Sequence, residues 1–220
     1  GYLTDLKDLK AHERTKDGVE AIPVYHSAYP AYSYLYFGTD ETILYTGDFR
    51  LDTFVDGDAR SELYKEPILE YLENNRDLKI DTLILEGTNF GRPYSPISTR
   101  EALEVCSRML ESQLLSMVAV NEQEIDFLLR FAALASELKK SVVVSSERTA
   151  RSLDAYMQMN DQLKQELTAS VRVLDSVQLP ILLEKVDPNE LRGRKDILYV
   201  ISARSLVDDL RELEVHELLS

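Results

Sequence analysis

Three short stretches hold the side chains best suited to chemistry. His26 ends a strand-like run, Val24-Tyr25-His26-Ser27. Asp48 follows Gly47 in Tyr45-Thr46-Gly47-Asp48-Phe49-Arg50, and Glu86 opens Glu86-Gly87-Thr88-Asn89 directly after an apolar run. An imidazole at a strand end stands where ligands are commonly placed, although a lone histidine there is more often structural. A Gly-Asp pair after a strand serves either as a metal carboxylate or as ordinary turn chemistry. An acid where a buried strand stops needs a partner or a metal, because an unpaired charge there is costly. The combination is more specific than any member.

The elements that must position these groups are legible as patterns. Residues 19–25, 32–37 and 43–46 are short runs rich in β-branched and aromatic residues, and residues 38–41 make a hairpin-type connection between the last two. Five of the twelve tyrosines lie between Tyr25 and Tyr36; on alternating strand positions they read as half-buried sheet packing. Residues 66–75 carry Ile68, Leu69 and Leu72 at the spacing of a short amphipathic helix. Residues 81–85 are a continuous apolar strand of the kind buried on both faces of a sheet. A loop rich in Gly, Pro and Ser then marks a change of organisation, dividing the chain into 1–92 and 93–220.

Beyond that loop, helix and strand alternate. Ser98 and Glu101 have capping-box spacing before a helix over 99–115. Asn121 and Glu124 repeat it before a helix bearing Ile125, Leu128, Leu129, Ala132, Ala135 and Leu138. Strands are predicted at 117–120, 141–144, 171–174 and 197–201, and helices near 149–159 and 205–213. That alternation predicts an α/β fold with a parallel, doubly wound sheet.

Composition bounds the function classes. A length of 220 residues with 44% hydrophobic content allows a real core in one large α/β domain or two small ones. No apolar run approaches the roughly 18 residues of a membrane span, and the first residues lack the pattern of a signal peptide. Cys106 is the single cysteine, which excludes an intrachain disulfide and a cysteine-based zinc site and suits a cytoplasmic chain. Its place in a helical apolar pattern reads as core. A net charge of −14 argues against a generally basic, phosphate-hugging surface. It leaves room for nucleic acid as a substrate, since a metal-centred hydrolase holds phosphate through its ions and a few local arginines.

Taken together, the HS, TGDFR and EGTN segments resemble the metallo-β-lactamase fold. More narrowly they are similar to its β-CASP branch of nucleic-acid-processing hydrolases, which includes the RNase J-type enzymes. TGDFR is the most specific piece and HS the weakest, and the likeness covers roughly residues 19 to 150. The resemblance implies part of a metallo-β-lactamase sheet and helix layer over 1–92, followed over 93–220 by a partial, parallel-sheet, Rossmann-like β-CASP domain. It makes His26 a zinc ligand, Asp48 a carboxylate bridging two zinc ions, and Glu86 a catalytic acid beside the metal centre. The implied activity is hydrolysis of nucleic-acid phosphodiesters, with RNA ahead of DNA, by a hydroxide formed between the two ions. Arg50 and Arg92 flank two of the motifs and are candidate phosphate contacts. No membrane association is implied, and homodimerisation stays open.

The departures from the family pattern are equally specific. Its His-x-His-x-Asp-His cluster is absent, for the histidines are His12, His26 and His216 alone. His12 and His216 fit no ligand motif and are expected to be solvated. The family's later histidines are missing too, and Tyr29-Pro30-Ala31-Tyr32 replaces the usual glycine after HS. Two zinc ions need about seven or eight donors, of which His26 and Asp48 offer two, so this chain alone is not expected to hold a dinuclear site. Either it is an internal piece of a longer enzyme, as the absent initiator Met and the ending without the family's closing strands favour, or it is a degenerate, inactive scaffold or partner subunit. A Rossmann-type nucleotide site is disfavoured, because Val118-Ala119-Val120 runs into Asn121-Glu122-Gln123-Glu124 without Gly-x-Gly-x-x-Gly.

Overall fold

The computed structural model describes residues 9–55, 57–91, 93, 97–111, 116–159, 161–175, 177, 182–191, 193–194, 196–204, 206–207 and 211. The chain divides into two units: Gly1–His26 with Pro30–Pro96, and Ser27–Tyr29 with Ile97–Ser220. Both are α/β, one built on a mixed sheet and the other on a parallel one.

In the first unit β1 (Val19–Pro23), β2 (Tyr32–Phe37) and β3 (Thr42–Tyr45) form an antiparallel meander, and β4 (Thr82–Ile84) joins β3 in parallel. The register pairs Leu35 with Leu44 and Tyr34 with Tyr45. Because side chains alternate between faces, Leu35 and Leu44 enter a core with Ile22 and Val24, whereas Tyr34, Tyr36, Tyr45 and Ile84 remain exposed. The helix α2 (Ile68–Asn74) closes the core: Ile68 is buried, and Tyr71 and Leu72 pack on the same cluster. Each buried aliphatic side chain contributes about 1.5–3 kcal/mol of transfer free energy. Pro67 takes the N-cap position of α2 with extended backbone, so the helix starts inside the predicted stretch. The short helix α1 (Gly57–Leu63) has too few apolar residues to leave a periodic signal.

The expected burial of residues 81–85 fails. Leu83, Ile84 and Leu85 are 52%, 47% and 60% exposed. A continuous apolar strand is buried only where other elements cover it, and among the described residues β3 is its one strand partner.

The second unit holds β5 (Ser116–Val120), β6 (Ser141–Val144), β7 (Val171–Leu174), β8 (Glu184–Val186) and β9 (Ile197–Ser202). They form a sheet of order β5-β9-β6-β7-β8 in which every described pairing is parallel. The last described strand, β9, is thus inserted between β5 and β6 and is buried along its whole length. Its Ile197, Tyr199 and Ile201 join Val143, Leu174 and Leu191 in the core. The helices named among the described residues are α3 (Thr99–Glu111), α4 (Ile125–Glu137), α5 (Glu147–Met159) and α6 (Asp161–Ser170).

The two predicted capping boxes part company. At α3 the Glu101 amide donates to Ser98 Oγ at 3.2 Å and the Ser98 amide donates to the Glu101 carboxylate at 2.9 Å. At α4, Asn121 accepts the Gln123 amide on Oδ1 and the Glu124 amide on its carbonyl, forming a turn before a helix that has no side-chain cap bond. Cys106 lies half-buried on α3, and burial pushes its thiol above the usual range. The helix predicted at 205–213 falls largely outside the described residues. No helix among the described residues is long and apolar enough to cross a membrane.

Candidate functional site

The end of β3 is fixed from both sides. Ser33 Oγ donates to the Thr46 carbonyl at 2.8 Å, and the Thr46 amide donates to the Ile84 carbonyl at 3.0 Å. Gly47 then turns the chain at φ +58°, a conformation that side chains rarely adopt, and a Cβ there would meet the Tyr32 carbonyl oxygen at 3.3 Å. The turned segment comes back along Tyr25 in an antiparallel bridge, with the Arg50 amide donating to the Tyr25 carbonyl at 2.6 Å.

That bridge brings two of the three motifs together. His26 Nε2 lies 3.9 Å from Asp48 Oδ2, with the imidazole 26% and the carboxylate 65% exposed. At this separation the two side chains make no direct hydrogen bond, and they form an ion pair only when the imidazole is protonated. Glu86 is placed differently: its carboxylate folds back on its own loop and accepts the Thr88 amide at 2.6 Å. Among the described residues no group of three or more His, Cys, Asp and Glu side chains could hold a metal ion. Arg50 carries its guanidinium carbon 5.5 Å from the centre of the Phe54 ring. Arg92 and His216 lie outside the described residues.

His12 is not the solvated residue its surroundings in sequence suggest. The His12 amide bonds the Ala21 carbonyl, which carries the ring over α2; there Nε2 lies 2.9 Å from the Lys65 carbonyl and the ring stacks on Tyr71 at 5.8 Å.

Sequence reading singled out none of the side chains that grip the strand end before His26. Tyr25 is buried, with its ring 4.8 Å from that of Tyr64 in an edge-on contact. Its hydroxyl accepts Arg60 Nε at 2.8 Å, and a second guanidinium nitrogen of Arg60 donates to Glu70 at 3.3 Å. Arg60 lies on α1, which has no pattern of its own, so only the contacts reveal it.

Another buried polar group occupies the second unit. Glu122 is 5% exposed; Ser202 Oγ donates to it at 2.5 Å and Arg204 Nε stands 3.7 Å away. The Ser202 hydroxyl, opposed by burial and helped by Arg204, holds the Glu122 carboxyl below the usual carboxylate range. Beside it the Ala203 amide bonds the Val120 carbonyl at 2.7 Å, closing the ends of β5 and β9.

No protein-family profile matches the chain, and no curated protein matches it. Among solved structures it is similar to a protein from Enterococcus faecalis V583 described as a protein of unknown function, with a TM-score of 0.61 and 20% sequence identity. The likeness covers 93% of this chain and 46% of that one, so the chain spans about half the length of the structure it matches. At that identity the similarity concerns the fold alone.

Proposed function

We propose that this chain is part of a zinc-dependent hydrolase of the metallo-β-lactamase fold and β-CASP branch, cleaving nucleic-acid phosphodiesters, RNA ahead of DNA. The observation that carries the reading is the approach of His26 to Asp48, 3.9 Å apart on facing chain segments. These are the two residues that the motif resemblance makes ligands of one centre.

Zinc takes about four donors per ion. The described residues supply this pair and no group of three, and the Glu86 carboxylate is turned into its own loop. They do not fit a zinc site by themselves. The reading gives this chain two donors and leaves the others to the remainder of a longer protein. The test is Asp48→Ala in the full-length protein, followed by elemental analysis for zinc and by cleavage of single-stranded RNA. Loss of both is expected, whereas retention of both sinks the assignment.

A second reading, an inactive β-CASP-like scaffold or partner subunit, is favoured by the lack of any third ligand-type side chain grouped with the pair among the described residues. A full-length protein that neither holds zinc nor cleaves RNA or DNA would replace the first reading with this one.

A further inference from the structure

We propose that Arg60 is a positioning residue that sets the geometry of the His26 and Asp48 pair. This rests on the reading of those two residues as the functional site. Tyr25 is the pivot. Its carbonyl oxygen receives the Arg50 amide at 2.6 Å, and the peptide bond that follows leads directly to His26. Any rotation of Tyr25 about the strand axis therefore moves His26 relative to the turn that carries Asp48.

The Tyr25 side chain is fixed against that rotation from two directions. The Tyr64 ring meets it edge-on at 4.8 Å. Arg60 Nε donates to its hydroxyl at 2.8 Å, and the same guanidinium donates to Glu70 on α2 at 3.3 Å. A planar guanidinium bonded at two nitrogens has little freedom to swing, which a lysine ammonium would retain. Packing alone would be served by a phenylalanine at position 25. The hydroxyl and its cation are what add a defined angle.

The experiment uses the 220-residue chain and nuclear magnetic resonance. In the wild-type background, Asp48→Asn is expected to displace the His26 imidazole nitrogen signals, because the lost carboxylate is a near neighbour. In Arg60→Met or Tyr25→Phe backgrounds the same substitution should produce roughly half that displacement or less, since the field of a charge falls with distance. Arg60→Lys, which keeps the charge without the planar fork, should fall between. Thermal unfolding monitored in parallel identifies any variant that has lost its fold. Should Arg60→Met do so, the Tyr25→Phe measurement decides alone. An undiminished displacement in a folded Tyr25→Phe or Arg60→Met chain overturns the proposal. Failure of RNA cleavage by the full-length protein would overturn the functional reading and leave this measurement unaffected.

Discussion

The Arg50 amide donates to the Tyr25 carbonyl at 2.6 Å, and this bond aligns two chain segments that are distant in sequence. His26 and Asp48 lie 3.9 Å apart as a consequence.

Side chains that work through one another lose activity as a unit. On the proposed hydrolase reading, His26→Ala and Asp48→Ala in the full-length protein should each lower RNA hydrolysis by on the order of 100-fold or more. The double variant should be no worse than the poorer single one. Multiplying losses in a double-mutant cycle would show that the two act separately.

Gly47 holds φ +58° beneath the Asp48 turn, close to the Tyr32 carbonyl. Gly47→Ala should cost about 1–2 kcal/mol, the usual penalty of the left-handed region for a residue with a Cβ. Urea unfolding measures it. An unchanged midpoint would mean that the turn relaxes freely.

Glu122 supplies a pH dependence with a definite sign. Its folded carboxyl lies below the ordinary range because Ser202 bonds the charged form. The associated stability is present above the unfolded value of about 4.3 and is lost as pH falls through the lower folded value. Melting temperatures between about pH 5 and pH 2 should therefore drop more steeply for the wild type than for Glu122→Gln. Parallel curves would remove Glu122 from the acid transition.

Two buried tyrosines should respond oppositely to loss of the hydroxyl. Tyr156 donates to the Tyr29 carbonyl at 2.9 Å, so Tyr156→Phe should cost about 1 kcal/mol. The Tyr199 hydroxyl is buried with no hydrogen-bond partner among the described residues, so Tyr199→Phe should be neutral or stabilising by up to about 1 kcal/mol. Burial also pushes the Tyr199 phenol up to about 12. The neutral form is favoured in the fold, and that stability is present below the ordinary phenol value of about 10 and lost as pH rises through the folded one. Chemical denaturation of both variants, with ultraviolet titration of Tyr199, checks the contrast.

Local patterning was a good guide to elements and a poor guide to their neighbours. Residues 32–37, 141–144 and 171–174 were readable as strands, and the Ser98–Glu101 box as a helix start, because alternation and capping are short-range properties. The polar-rich α1 and the short β8 left no such trace. At α4 the same spacing misled, since Asn121 spends its oxygens on a turn.

By itself the sequence determined the α/β class, the alternation of helix and strand in the second half, and the three motifs that nominate His26, Asp48 and Glu86. Tertiary structure alone decided which of them meet. Periodicity says which face of an element is apolar, but not which segment will cover it. That is why the run at 81–85 was expected inside a sheet and stands exposed, at an edge of the sheet among the described residues. It is also why the pairing of His26 with Asp48, and the grip of Arg60 on Tyr25, became visible only once register and a positive-φ glycine had brought the segments side by side.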